Sequence, residues 1–308
     1  MTRRALALGC GGTIGCAWTV AALAALTRET GIEPANFTLL QGTSAGAELV
    51  TMLGGGATVG DLVAMQRGTS DDARLRAHLA ATPSSIPPVP APRLTKPTLL
   101  RTQSGLAALT GIAPHGRGDA GWLQRLADAF AGDDGWLPHP GVRMVAFDVD
   151  RGERVAFGAP GAPVTDAGTA LRASWAIPGW MRPVQIDGRT HVDGGARSTA
   201  SIDLIGPDEA DIVYLIAPMA GAPGERIPGL GGRIENALLR RPMSAVLDRE
   251  VATLRARGTT VVTITPDRAD LAGLGANFMS RRHRRAAFES AMTTAPDTVR
   301  RALSSVEA

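Results

Sequence analysis

Near the N-terminus one local pattern occurs twice: a short apolar run, a glycine-rich turn, then an apolar stretch with helical character. Ala5–Leu8 leads through Gly9, Gly11 and Gly12 into a helix expected from about Ile14 to Glu29. Phe37–Gln41 leads through Gly42–Ser44 into a helix over Ala45–Leu53. Strands and helices in such alternation imply a parallel sheet with helices on both faces. The rest of the chain extends the pattern. Residues 142–157 read as two strands joined by a turn at Asp150–Gly152, and Val184–Ile186 and Thr190–Val192 as strands around an Asp187-Gly188 turn. Asp211–Ala217 and Thr260–Ile264 read as core strands. Helices are expected over 58–80, Trp122–Phe130, Asp166–Ser174, Arg233–Arg257 with a break at Pro242, and from about 268 to 308. No internal repeat or clean linker divides the 308 residues, so one domain over 1–308 is expected.

A hydrophobic content of 44% and a charged content of 20% fit a globular chain. A net charge of +3 is too weak a bias to imply nucleic acid as a partner. The uncharged run over residues 5–26 imitates a signal peptide or a membrane span of about 20 residues. Gly9, Gly11 and Gly12 would break the helix either one needs, so strand, turn and helix is the better reading. Cys10 and Cys16 have neither the spacing of a disulfide framework nor the partners of a zinc site. They fit a reducing compartment, and the expected location is cytoplasmic, at most peripheral to a membrane; no metal or cofactor is expected. The proline-rich stretch 82–97 opens a region to about 118 that reads as an irregular insertion or lid. The basic run Arg281–Arg285 reads as a solvated helix face in preference to a contact with anionic head groups.

The first glycine turn allows three readings. A dinucleotide fingerprint fails on spacing, because Gly9, Gly11 and Gly15 give G-x-G-x-x-x-G, and the second strand ends without the ribose-binding acid. An oxyanion hole would use the backbone N–H groups such glycines free at a helix start. A tight strand–helix packing turn would need no chemistry at all. The second turn, Gly42-Thr43-Ser44-Ala45-Gly46, has the G-x-S-x-G form of a nucleophile elbow.

A serine hydroxyl needs a base. An α/β-hydrolase order of Ser, Asp, His leaves His283 as the late candidate, set in an arginine cluster that opposes its protonation. His78, His115 and His139 are the earlier candidates, of which His78 and His139 carry no catalytic context. The remaining candidate is Asp193, at a strand end before Gly194 and Gly195. It serves either as a turn-forming cap or as a general base, with His191 on the same strand face to tune it.

These elements, in this order, resemble the patatin-like phospholipase family. The family's glycine-rich oxyanion motif is similar to Gly11-Gly12-Thr13-Ile14-Gly15, its serine motif to Gly42-Thr43-Ser44-Ala45-Gly46, and its D-G-[GA] motif to Asp193-Gly194-Gly195. RASWAIPGWMRPV over 172–184 resembles the segment preceding the aspartate, and 147–158 the central strand pair. The resemblance spans roughly Ala5 to Ala217. It implies a three-layer α/β/α sandwich with a mostly parallel central sheet. It also implies acyl-ester hydrolysis on lipids by a Ser44–Asp193 dyad, with Gly11 and Gly12 as oxyanion donors. Three departures stand out. Cys10 replaces a usual glycine, Ile14 a usual cation, and Ala196-Arg197-Ser198-Thr199 follows where Asn-x-Pro is common. The expected function is a serine lipid acyl hydrolase of phospholipase A or lysophospholipase type. The alternatives are a broad carboxylesterase or thioesterase, and a catalytically feeble lipid-binding or regulatory protein.

Overall fold

The computed structural model describes residues 2–81, 86–221, 225, 227–275 and 277–307. Its centre is an eight-stranded mixed sheet. The strands are β1 (Arg4–Leu8), β2 (Leu39–Thr43), β3 (Val142–Asp148), β4 (Glu153–Phe157), β5 (Val184–Ile186), β6 (Arg189–Asp193), β7 (Ile212–Ile216) and β8 (Thr260–Ile264). They run in the order β5-β6-β3-β2-β1-β7-β8, with β4 paired to β3. β3, β2, β1, β7 and β8 are parallel neighbours, while β4, β5 and β6 join antiparallel.

Alternation along the central strands sorts side chains into two cores. Leu6 and Leu8 of β1 face a core shared with helix α1 (Gly12–Thr30), helix α2 (Ala45–Gly54) and the C-terminal helix Arg284–Glu307. Ala5 and Ala7 face the opposite core, built on Leu247, Val251 and Leu254 of the helix Arg241–Ala256. The result is an α/β fold with helices flanking both faces of the sheet. The uncharged run near the N-terminus is thus β1, the glycine turn and a deeply buried α1, whose Trp18 is fully enclosed. Among the described residues no helix is long and apolar enough to cross a membrane.

Three segments depart from the reading of the sequence. The helix expected over 58–80 is two, Val59–Arg67 and Ala73–Ala80: Gly68 takes φ 75° as a left-handed cap, and Asp72 starts the second by accepting the Arg74 N–H. The break at Pro242 becomes a π-helical turn over Asn236–Arg240 between Gly229–Glu235 and Arg241–Ala256. Proline has no N–H to give to a carbonyl four residues back, and the preceding turn widens. Within 82–118, residues 82–85 lie outside the described residues. The remainder is more regular than expected. Its backbone pairs with 111–115, as in Lys96 N–H to Gly111 O at 2.9 Å, and it carries helices Leu99–Thr102 and Gly105–Ile112.

Candidate active site

One residue, Ser44, separates β2 from α2. To turn the chain that sharply it adopts φ 56° and ψ −117°, a conformation costing an L-residue of order 1–3 kcal/mol. Neighbouring groups hold it there. The Ser44 N–H donates to Ser174 Oγ at 2.9 Å, and that hydroxyl donates to Val145 O at 2.6 Å. The motif glycines permit the close approach. A Cβ on Gly46 would stand 1.9 Å from Leu8 O, and one on Gly42 2.3 Å from Gly46 O. α2 therefore starts against the end of β1, which brings the two glycine turns side by side.

Asp193 arrives by strand pairing. β2 runs parallel to β3 and ends with Thr43 opposite Val145; β6 runs antiparallel to β3 and ends with Asp193 opposite Ala146. β4 occupies the other edge of β3 over Met144–Asp148, so β2 and β6 meet head to head on one edge. Ser44 and Asp193 come from that junction. Gly194 fits there because a Cβ would press within 2.7 Å of Val145 O and 3.0 Å of Thr43 Cγ2. Asp193 Oδ1 accepts the Gly195 N–H at 2.7 Å, and the nearby Ser44 side chain acts to lower the pKa of the carboxyl group.

The first glycine turn supplies donors. Gly9 N–H is taken by Ile216 O, Cys10 N–H by Thr199 O and Ile14 N–H by Phe278 O. The N–H groups of Gly11 and Gly12, at the start of α1, have no acceptor among the described residues. Gly12 has φ 58°, and a Cβ on it would collide with Phe278 at 2.6 Å. Ser44, Asp193, Gly11 and Gly12 all open on one cavity of about 270 Å3, otherwise lined mainly by apolar side chains such as Leu106, Leu109, Met219, Leu239 and Phe278.

The family model for patatin-like phospholipase matches residues 6–204. The chain belongs to the patatin-like phospholipase family. Among solved structures it is similar to VipD from Legionella pneumophila, at 15% sequence identity and a TM-score of 0.46, covering 99% of this chain and 67% of that one. No curated protein matches the chain. Patatin-like phospholipases act on lipid substrates, and membership supports lipid acyl hydrolysis in general.

The electrostatics of this patatin-like site are set by burial. Asp193 is 4% exposed, and the loss of solvent pushes its pKa up to about 7 from 3.8, although the Ser44 side chain and the Gly195 N–H pull the other way. No cation contributes. Burial likewise pushes the Cys10 thiol up to about 12, so Cys10 lines the cavity as a neutral group beside Thr199. The Ile14 side chain is buried in the core, and its backbone, not a cation, ties the glycine turn to Phe278.

No histidine lines the cavity. His78 Nε2 is 2.7 Å from Glu48 Oε1, beneath α2. His139 pairs with Phe37 O, and His283 with Ser280 Oγ. His115 is held through its backbone to Arg93 and Ala91. His191 shares a strand face with Asp193, but its ring packs on Phe157 and stands 4.0 Å from Asp148; burial holds it below the usual imidazole range. It makes no contribution to the Asp193 shift, so a tuning role has no support. Among the described residues no group of His, Cys, Asp and Glu is arranged to hold a metal ion.

Reading the sequence assigns no role to Ser174, Phe278 or Met243. Ser174 lies within the Ala-Ser-x-Ala-Ile-Pro-Gly segment, which is the signal that marks it. Phe278 and Met243 reach the cavity from distant elements and carry no local signal.

Proposed function

We propose that the protein is a serine lipid acyl hydrolase of phospholipase A or lysophospholipase type, with Ser44 as nucleophile and Asp193 as general base. The observation that carries this reading is convergence: a strained serine, a carboxylate with a pKa of about 7 and two unclaimed N–H donors open on one apolar cavity. A base titrating near the working pH is both available and strong enough to act. Ser44 Oγ attacks the ester carbonyl carbon while Asp193 takes its proton. The carbonyl oxygen gains negative charge and is met by the Gly11 and Gly12 N–H groups. Collapse expels the alcohol, which recovers the proton from Asp193 and leaves an acyl ester on Ser44. Water then attacks that ester, Asp193 takes the water proton, and the proton returns to Ser44 as the fatty acid leaves.

Exposed aliphatic side chains near the cavity favour a lipid interface. Leu230, Ile234 and Leu238 are 73%, 52% and 61% exposed along one stretch of helix, next to the cavity-lining Leu239. Leu109 and Ile112 are exposed on the helix that also supplies Leu106. Such a patch suits peripheral contact with a membrane, with the cavity mouth facing the lipid. In the same picture the described residues 86–118 are a lid segment of a single domain.

One observation favours a second reading. At about 270 Å3 the cavity is small for a ligand pocket, which suits a short acyl chain and hence a carboxylesterase or thioesterase. Hydrolysis rates for a series of acyl esters from four to sixteen carbons, presented below and above their aggregation thresholds, separate the two. The lipid reading predicts rates that rise with chain length and jump on aggregation. A maximum at the shortest soluble esters favours the second reading. Absence of turnover on every ester, with Ser44→Ala indistinguishable from the parent, overturns both in favour of a lipid-binding protein.

A further inference from the structure

Beside the candidate catalytic cavity lies a second groove of about 200 Å3, and the two share Leu106, Gly195, Ala196 and Met243 as a common wall. Their chemistry differs. Asp193 is the single charged residue on the cavity, whereas the groove carries two arginines, Arg197 and Arg249, and no carboxylate. Arg197 is half-buried and caps the short turn Gly194–Ala196 that follows Asp193. Arg249 is exposed on the helix Arg241–Ala256.

Several arginines elsewhere in the chain have partners: Arg3 with Asp211, Arg74 with Asp72, Arg154 with Asp203 and Glu250. Among the described residues, the guanidinium groups of Arg197 and Arg249 have none. Two acids near them, Glu250 and Asp203, are committed elsewhere, and the neighbouring Asp248 is exposed and does not line the groove. Glu250, adjacent to Arg249, turns inward to Arg154 at 2.7 Å and accepts the Ile202 N–H at 3.2 Å. Asp203 is taken by Arg154 at 2.6 Å. Ser104 also lines the groove, and its hydroxyl caps no backbone N–H of the helix Gly105–Ile112.

Two unclaimed guanidinium groups in a groove without acids present a fork of donors that matches phosphate oxygens. We infer that the groove receives the phosphate of a phosphorylated acyl ester, the head-group phosphate of a glycerophospholipid or lysophospholipid. The ester carbonyl then sits at Ser44 and the acyl chain lies along Leu109, Met219, Leu239 and Phe278. This rests on the acyl-hydrolase reading of Ser44. The shared residues set the two cations directly beside the cavity that holds the reacting carbonyl.

The test measures binding and hydrolysis separately. Full-length protein carrying Ser44→Ala is titrated calorimetrically with dihexanoyl phosphatidic acid, with dihexanoylglycerol and with inorganic phosphate. The phosphatidate binds at least about tenfold more tightly than the diglyceride, and raising the salt from low to high concentration shrinks that preference. Arg197→Gln and Arg249→Gln each lower the preference severalfold, the double variant removes it, and Arg197→Lys restores part of it. The salt titration needs no arginine variant, so it holds even where one fails to fold. A preference that is absent, or unchanged by salt and by the double variant in folded protein, overturns the proposal. Inorganic phosphate binding as tightly as the phosphatidate assigns the groove to free phosphate and overturns the head-group assignment. Hydrolysis of 4-nitrophenyl butyrate by the parent protein tests the other reading. Turnover without phosphatidate preference leaves the hydrolase and removes the groove. Preference without turnover on any ester leaves the groove and removes the hydrolase.

Discussion

Two buried carboxylates lie close to the Ser44 elbow, and they differ in what surrounds them. Glu48 sits one turn into α2, where its side chain meets His78 Nε2 at 2.7 Å and approaches Cys16. His78 in turn stacks on Trp122. By residue type this carboxylate–histidine pair looks like two-thirds of a triad. It lies under the helix, beside a void of about 20 Å3, too small to admit an acyl ester. Asp193 has no histidine, but it shares a cavity with Ser44 and two free N–H donors. In the proposed mechanism geometry favours Asp193, whereas residue types alone would point to the Glu48–His78 pair.

The largest expected effects fall on the second pair. Ser44→Ala and Asp193→Asn should each lower kcat/KM on a soluble ester by about 10³–10⁴-fold, since members of a catalytic unit fail together. Steady-state hydrolysis by folded protein reads this directly, and near-parent activity in either variant breaks the comparison. Gly46→Ala probes the packing that joins the two turns. With Leu8 O at 1.9 Å from the new Cβ, it should destabilise by about 3 kcal/mol or more, seen as a loss of soluble protein or a large fall in denaturation midpoint.

His78→Gln sharpens the contrast from the other side. It removes a buried partner of Glu48 and should cost about 1–3 kcal/mol of stability, while kcat in folded protein stays within about threefold. A rate loss comparable to that of Asp193→Asn would return the histidine to the mechanism. Asp193→Asn should also be more stable than the parent at high pH. The folded state favours the neutral carboxyl group, so this contribution to stability is fully present below 3.8 and is lost as pH rises through about 7. An asparagine stays neutral throughout, and the variant should gain roughly 1–3 kcal/mol over the parent between pH 5 and pH 8, measured by denaturant melts.

Much of this site was legible because its residues are local. Glycines at Gly11, Gly12, Gly42 and Gly46, and Asp193 before Gly194, mark turns whose backbone needs are written in a few adjacent positions. The strands that carry them were legible too, since apolar runs such as Asp211–Ala217 bounded by turn residues have few other solutions. What stayed hidden depends on distance along the chain. Glu48 and His78 are thirty residues apart and meet only because α2 and the helix Ala73–Ala80 pack on the same core. Phe278 covers the first glycine turn from beyond β8, and nothing near Gly12 announces it. The helix Gly105–Ile112 has little amphipathic signal and owes its place to packing of Leu99 and Ala107 against Phe147, Val192 and Ala196.

The central claim is that Ser44 gives its proton to Asp193 and to no histidine. The rate of labelling by a fluorophosphonate, measured across pH 5 to 9, tests it most directly. A base must be deprotonated to act, so the parent rate should rise with pH around a midpoint of about 7. Folded His78→Gln and His191→Gln should keep both rate and midpoint, and Asp193→Asn should lose the labelling. Parent-like labelling in Asp193→Asn, or loss of labelling in a folded histidine variant, would contradict the account.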